Sequence, residues 1–360
     1  MRTLPLLTVL PVAFSLGLGL PSQRGAQEEL IPTHHLYVCI QDDASVVIID
    51  MNRVEVVRVV RLTDLGFDPR AGPHDVAVAR DGRHWYVSLV GEHRVLQFDS
   101  GDRLVGSAEM ESPGMLALAP SGEPLMISRS MSATNPPRAL GLAEPTDMRL
   151  EELDVLFQRP HAVAFGPEGR FAYSASLAVN QLAAIKLSSG AIELIDVTGP
   201  PQAFVQLAVS PDGRTLIVTG EISGDLTVFS LDDPGHPRLV TSVALGLRPF
   251  DPVFAPDGRT VWIPIKGSDE IAVVETEGWA VVDRVRGTEI NQPHSIEFSP
   301  NGLRAFVTNN RPGLGGLSTD SPETAGNQAH LVVIDVTARA IESSLELGHN
   351  LAGLSHRGTR

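Results

Sequence analysis

The sequence has little cysteine and little basic charge, and both shortages narrow the classes of protein to which it can belong. Cys39 is the only cysteine in 360 residues. This excludes an intrachain disulfide, and the lack of a Cys-x-x-Cys-His run excludes covalently bound c-type haem. Because Cys39 stands in a β-rich run, we expect a buried, unreactive thiol. Lysine and arginine number 28 against 43 aspartates and glutamates, a formal net charge of −15, which argues against a nucleic-acid partner.

Long apolar runs are also missing, apart from one segment near the N-terminus. There Arg2 precedes an apolar run over residues 4–20 that two prolines interrupt. Such a short run behind a basic residue predicts a secretory signal peptide within residues 1–26. We therefore expect export to the periplasm or out of the cell, with no membrane span after removal of the signal. Residues 27–360 are expected to form a single domain.

What the sequence does contain is a ten-residue pattern that recurs seven times. The copies read PHDVAVARDG, PGMLALAPSG, PHAVAFGPEG, FVQLAVSPDG, PFDPVFAPDG, PHSIEFSPNG and HNLAGLSHRG. A period in this range, built on strands rather than helices, is typical of a β-propeller. The closing glycines follow one another at steps of 40 to 56 residues and are Gly82, Gly122, Gly169, Gly213, Gly258, Gly302 and Gly358.

Each copy opens a unit of four β-rich runs. The first run alternates apolar residues and ends in Asp-Gly or a related dipeptide, which closes a tight hairpin. Three more runs follow, as in FAYSAS, QLAAIKL and AIELIDV. Their enrichment in β-branched and aromatic residues favours strands. The sequence therefore predicts an all-β protein made of four-stranded antiparallel blades.

Neither end of the chain holds a complete unit. The last copy supplies only a first strand, whereas LYVCIQ, VVIIDM and VEVVRVV near the N-terminus supply a second, third and fourth. Joined, they form one blade closed by both termini, so six whole units and one split unit predict a seven-bladed β-propeller. An open array is the alternative, but it leaves two incomplete units unable to bury their apolar faces.

The strings AVSPDGR, TLIVTG and LTVFSL resemble the YVTN-type β-propeller repeat of about 40 residues. The resemblance covers nearly everything from about His35 to the C-terminus, although no copy reads YVTN and the nearest is FVTN at residues 306–309. It implies kinship with surface-layer and periplasmic binding propellers, lactonase-type hydrolases, and the d1-haem domain of a nitrite reductase. The resemblance is specific for the fold and leaves the function open.

Three copies carry histidine at the same register position of the first strand, namely His74, His161 and His294. Side-chain direction follows strand position, so the imidazoles should surround the propeller axis at similar height. We call this end of the channel the mouth, since rigidly held loops there usually bind ligands. Three imidazoles can bind a substrate or a metal ion, so a three-histidine metal site is one prediction. The alternative is structural: each Pro-His pair fixes its interblade loop by a hydrogen bond to backbone.

Other polar residues are predicted to share the mouth. Asp75 and Asp251 follow the register position by one residue, and Arg129, Lys266 and Asn310 belong to loops between second and third strands. Together they predict a mixed polar site for a small polar ligand, on which the two basic side chains favour a carboxylate or phosphate.

Two connections are long for this fold, residues 131–147 and 311–329. Long loops in compact domains act as lids or binding loops, or are inert insertions. The sequence leaves both interpretations open.

Three functional hypotheses follow. The first is a binding or interaction module that takes a small polar ligand or a protein partner at the mouth. The second is a lactonase-type hydrolase, in which one of the three histidines acts as general base beside Asp75 or Asp251. The third is non-covalent haem or copper binding by the same histidines, as the resemblance to the d1-haem domain implies.

Overall fold

The computed structural model describes residues 30–133, 138–310 and 329–357. These residues form 28 β-strands and a single 3-10 turn at Leu62–Leu65. The strands make seven antiparallel sheets of four strands each, the blades of a propeller. The predictions of an all-β fold, seven blades and one blade closed by both termini are confirmed.

The blades are numbered along the chain, with the split blade as blade 1. The strands of blades 1 to 4 are β28 (Leu351–His356), β1 (His35–Ile40), β2 (Ser45–Asp50), β3 (Glu55–Arg61); β4 (Pro73–Val78), β5 (His84–Leu89), β6 (Arg94–Asp99), β7 (Leu104–Glu109); β8 (Pro113–Leu118), β9 (Leu125–Arg129), β10 (Ala139–Glu144), β11 (Arg149–Asp154); β12 (Pro160–Phe165), β13 (Phe171–Ser176), β14 (Gln181–Lys186) and β15 (Ala191–Asp196). The strands of blades 5 to 7 are β16 (Phe204–Val209), β17 (Thr215–Gly220), β18 (Asp225–Ser230), β19 (Arg238–Ala244); β20 (Val253–Phe254), β21 (Thr260–Ile265), β22 (Glu270–Glu275), β23 (Ala280–Arg286); β24 (Pro293–Phe298), β25 (Arg304–Asn309), β26 (Ala329–Asp335) and β27 (Ala340–Gly348).

The split blade joins the two ends of the described chain. Strand β28 pairs antiparallel with β1, with Leu36 opposite His356 and Ile40 opposite Leu351. The sheet order β28-β1-β2-β3 therefore places the last strand innermost, where the other blades have their own first strand. This pairing leaves no open sheet edge between blades 7 and 1.

Burial decreases outward within a blade. Every residue of β2 is buried, whereas most of β3 is exposed, which explains the weaker apolar pattern of the fourth run in each unit. Aromatic side chains fill the space between blades: Trp85 stacks on Phe98 at 4.1 Å and lies 5.0 Å from Tyr37. Cys39 is fully buried in the same cluster, as predicted for an unreactive thiol.

Hydroxyl side chains of the second strands connect neighbouring blades. Each donates a hydrogen bond to a backbone carbonyl oxygen in the innermost strand of the next blade or in the residues that lead into it. The bonds are Ser88 to Gly114 at 2.7 Å, Thr219 to Phe250 at 2.8 Å and Thr308 to Ala352 at 2.7 Å. They hold the innermost strands at a fixed spacing around the channel.

The start of the innermost strand is irregular in most blades, and this irregularity positions the candidate site. In β4 the register with β5 shifts between Pro73 and Val76, and in β24 the register with β25 shifts between Pro293 and Ile296. The histidine of the Pro-His pair therefore lies in a β-bulge. A bulge bends the strand and re-aims its side chains, which directs these histidines toward the mouth.

One predicted loop contains a strand, and two other predicted segments lie wholly or almost wholly outside the described residues. Residues 131–147 were expected to form one long loop, but Ala139–Glu144 is β10, the third strand of blade 3. Its sequence, ALGLAE, has no β-branched or aromatic residue, so its strand character comes from pairing with neighbours rather than from propensity. The predicted signal peptide lies outside the described residues, and so does the long connection at 311–329 except for Ala329, the first residue of β26. Within the described residues no helix is long and apolar enough to cross a bilayer.

Gly353 lets β28 lie close against blade 2. A Cβ atom at this position would stand 2.2 Å from Oδ1 of Asp75 and 2.8 Å from the backbone carbonyl oxygen of His74. Because that backbone cannot move alone, we expect Gly353→Ala to lower the free energy of unfolding by about 2 kcal/mol, measured by urea unfolding. Gly278→Ala is the matched control, since its Cβ would approach nothing closer than 3.4 Å. An unchanged urea midpoint for G353A would contradict this close approach.

Candidate functional site

Five side chains meet at the mouth, and we call them the mouth cluster: His74, Phe250, Lys266, His294 and Asn310. The ring centroids of His74 and His294 are 6.0 Å apart, and those of His294 and Phe250 are 4.7 Å apart. Lys266 Nζ lies 4.8 Å from the Phe250 centroid and donates a hydrogen bond to Asn310 Oδ1. Four of the predicted site residues are therefore brought together, with a phenylalanine between them.

Lys266 contributes a half-buried ammonium group to the mouth cluster. It is one of two lysines in the chain, and no carboxylate of the described residues lies within 4.0 Å of its Nζ. Burial, followed by the positive charge of Arg248, lowers the pKa of Lys266 to about 8, and Glu221 acts in the opposite direction. The group stays mainly protonated at neutral pH, so the cluster favours an anionic partner.

Two of the predicted histidines carry buried ring nitrogens, Nδ1 of His74 and Nε2 of His161, that have no hydrogen-bond partner among the described residues. Burial lowers the pKa of both imidazoles to about 4. For His74 the neighbouring His161 and Lys266 add to the decrease, whereas a hydrogen bond to Val205 opposes it for His161. Both rings are uncharged at neutral pH. Because an unpaired buried polar atom costs free energy, each of these nitrogens can take a hydrogen bond from a water molecule or a ligand.

The three predicted histidines do not form a ready-made metal site in the described part of the chain. Among residues 30–133, 138–310 and 329–357, no group of three or more His, Cys, Asp or Glu side chains is arranged to hold a metal ion. The rings of His74 and His294 meet nearly edge to face, at 75°. The three-histidine metal site and the haem or copper site remain predictions.

Two predicted site residues connect blades instead of joining the mouth cluster. Nδ1 of His161 lies 2.7 Å from the carbonyl oxygen of Val205 in the next blade, which is the structural role considered for the Pro-His pairs. Asp75 is fully buried, and its Oδ2 accepts a hydrogen bond from the backbone N–H of Leu116 at 2.9 Å. Both contacts run from the innermost strand of one blade to that of the next.

Arg129 lies apart from the mouth cluster, at the end of β9. Its Nη1 donates to the carbonyl oxygen of Glu111 at 2.6 Å, and its Nη2 forms an ion pair with Glu152. These contacts place Arg129 in a separate groove between blades 2 and 3, which His93 also lines. An arginine paired in this way is less suited than Lys266 to bind an anion at the mouth.

Beneath the mouth cluster the channel encloses a cavity of about 400 Å³, lined by the innermost strands of six blades. At one end it reaches the exposed prolines Pro211, Pro256 and Pro300, which stand in the turns between first and second strands. At the other end it is lined by Gln206 and by Asp251, a predicted site residue. The cavity therefore opens on the turn face of the ring, opposite the mouth.

A contact across the channel lies at the end of the cavity nearer the mouth. Nε2 of Gln206 on β16 lies 3.2 Å from Sδ of Met115 on β8, two blades away. Both residues stand one position after the register position that carries the histidines. The channel therefore has two chemically different ends, of which only the mouth was predicted.

Two further polar residues line the cavity, Glu297 and His356, and sequence reasoning missed both. Each is 5% exposed or less. Each also departs from the other copies of the ten-residue pattern, so the signal was available. Glu297 and His356 stand at positions five and eight of the pattern, whereas the predicted histidines and aspartates stand at positions two and three.

Comparison with known proteins identifies the fold and no family. No family model and no curated protein matches the chain. The resemblance to the YVTN-type repeat is therefore not confirmed, whereas the propeller architecture is.

Three solved structures share this architecture. A protein of unknown function from Desulfotomaculum acetoxidans covers 90% of this chain and 98% of its own length, at 14% identity and a TM-score of 0.72. The dihydro-haem d1 dehydrogenase NirN, in complex with DHE, covers 94% of this chain and 78% of its own, at 16% identity and a TM-score of 0.62. The propeller domain of Cps50 (Swd1) from Myceliophteria thermophila covers 78% of this chain and 92% of its own length, at 15% identity and a TM-score of 0.65. At these identities the likeness is one of fold alone.

Proposed function

We propose that this propeller is a binding module whose mouth cluster takes a small polar ligand bearing a carboxylate. The observation that carries the proposal is the half-buried ammonium group of Lys266, held by Asn310 above the Phe250 ring with no carboxylate within ion-pair distance among the described residues. A charge-assisted hydrogen bond to a carboxylate is about twice as strong as a neutral one. The buried Nδ1 of His74, a member of the mouth cluster, offers a neutral hydrogen-bonding group for the rest of the ligand.

Binding is favoured over hydrolysis by the contacts of Asp75. A lactonase-type mechanism needs a histidine beside a carboxylate that positions or activates it. One oxygen of Asp75, Oδ2, accepts a hydrogen bond from the backbone N–H of Leu116. NirN, a propeller in complex with DHE, supports the use of this architecture for small ligands, although fold likeness carries no information about the ligand's identity.

The presence of only two lysines allows a direct test. Reductive methylation with ¹³C-formaldehyde keeps the charge of each lysine and gives it an NMR signal. We expect the Lys266 signal to titrate with a midpoint near pH 8 and to shift saturably with acetate, lactate or malate. The Lys186 signal, from an exposed residue at the end of β14, should stay in place.

Variants then connect the signal to binding. Lys266→Met should weaken binding of the best of these carboxylates at least about tenfold, whereas the matched control Lys186→Met should leave it unchanged. Binding to the unmodified protein should also weaken as pH rises through 8, because the ammonium then loses its proton. Binding that is equal in K266M and the parent protein, or no saturable shift with any of the three carboxylates, would refute the proposed function.

A further inference from the structure

Position five of the ten-residue pattern is small and apolar in six copies and acidic in one. The small residues are Ala77, Ala117, Ala164, Ala208, Val253 and Gly353. The seventh copy has Glu297, which lies on β24 midway between the mouth and the turn face. A fold that needs a small residue here in six blades has no structural need for a carboxylate in the seventh.

Glu297 is a buried carboxylate that faces the channel cavity. It is 3% exposed, and its Oε1 accepts a hydrogen bond from the backbone N–H of Phe298 at 2.9 Å. None of the residues in the described ranges forms an ion pair with it. A buried charge without a counter-charge is costly, so it is normally paired. A cation that enters the cavity would supply the counter-charge that the described residues do not.

The side chains that line the cavity in front of Glu297 suit an organic cation with an apolar body. Asp251 lines it as a second carboxylate, while no lysine or arginine does. The imidazole of His356 also lines it, but its Nε2 is engaged with the carbonyl oxygen of Phe298 at 2.9 Å. The remaining walls are mainly apolar and include the rings of Phe165 and Phe254, whose faces attract cations.

The volume of the cavity and its opening to solvent are suitable for a small ligand. A volume of about 400 Å³ falls within the roughly 300–1,000 Å³ of ordinary ligand cavities. The opening between Pro211, Pro256 and Pro300 provides a route from solvent. The net charge of −15 draws cations toward the protein.

We propose that the channel cavity is a second binding site, distinct from the mouth cluster, for an organic ammonium ion with an apolar body. The ammonium group pairs with Glu297, and the apolar body lies against the phenylalanine and aliphatic side chains. The ligand enters from the turn face. This site is distinct from the proposed carboxylate site, because no residue of the mouth cluster lines the cavity.

Calorimetric titration of the full chain at pH 7 tests the proposal with three phenyl compounds of similar shape. 2-Phenylethylammonium should bind at least about tenfold more tightly than neutral 2-phenylethanol, and anionic 3-phenylpropionate should bind most weakly at this site. Glu297→Gln should abolish the preference for the ammonium while changing the affinity for the alcohol less than about twofold. Glu277→Gln, at an exposed position, is the matched control and should change neither.

Glu297→Ala provides a second readout that does not depend on a ligand. Since four copies carry alanine at this position, the variant should fold, and loss of an unpaired buried carboxylate should raise the Tm of the ligand-free protein by about 2–4 °C. Equal affinity for ammonium and alcohol, absence of binding, or an ammonium preference that survives in E297Q would overturn the proposal. Lys266→Met should leave ammonium binding intact, so failure of one site is distinguishable from failure of the other.

Discussion

Removal of residues 351–360 is expected to abolish the folded monomer. These residues include β28, in which Leu351, Ala352 and Leu354 are fully buried. Each buried leucine contributes roughly 1.5–3 kcal/mol, and the deletion also removes the carbonyl oxygens that accept from Thr308 and Asn310. The loss is comparable to the roughly 5–15 kcal/mol that separates the native from the unfolded state of an ordinary domain.

Circular dichroism and size-exclusion chromatography of the truncated chain measure this loss. We expect the cooperative thermal transition to disappear and the protein to aggregate through the exposed edge of β1. A synthetic peptide of residues 349–360 should restore the transition by adding the missing strand. The same peptide with Leu351→Asp and Leu354→Asp is its control. A truncated monomer that keeps a native transition would show that the ring does not depend on closure by β28.

Acidification from pH 6.5 to 4 is expected to destabilise the protein through the buried imidazoles of His74 and His161. Their pKa in the folded protein is about 4, below the value near 6.5 of an unfolded chain. The unfolded state therefore takes up protons first as the pH falls. The stability that the two neutral rings provide is complete above pH 6.5 and is lost progressively toward pH 4, by on the order of 3 kcal/mol for each ring.

Urea unfolding at intervals between pH 7 and 5 measures this dependence. In the double variant His74→Gln, His161→Gln, the unfolding free energy should depend less steeply on pH. The decrease in slope should correspond to the loss of up to two protons taken up on unfolding. The control His84→Gln, on β5 away from the mouth, should keep the parent slope. A double variant with the same slope as the parent would show that other groups cause the acid sensitivity.

The candidate site was predictable in part, because its histidines stand out against the other copies of the pattern. His74, His294, Lys266 and Asn310 were assigned to the mouth from register and loop position, and they do lie together. The same register argument placed His161 with them, but its Nδ1 binds the Val205 carbonyl oxygen instead. Strand position gives the height of a side chain and not the partner it finds across a blade interface.

Glu297 is the opposite case. Comparison of the seven copies identifies it as unusual, but its possible role can be inferred only from the cavity that it lines. In the sequence it is one acidic residue among 43. Its significance depends on burial, on the lack of a counter-charge among the described residues, and on a space large enough for a ligand. None of these properties is local to the strand that carries it.

The sequence alone determined the class of fold, the number of blades and the closure of the ring by both termini. These follow from strand periodicity, turn dipeptides and the count of copies, all of which act over a few residues or repeat at a fixed interval. Only the tertiary structure decided which side chains share a space. The convergence of Lys266 and the histidines, and the division of the channel into two ends, arise because bulged strands from different blades meet at one axis, and that meeting is set by packing between blades.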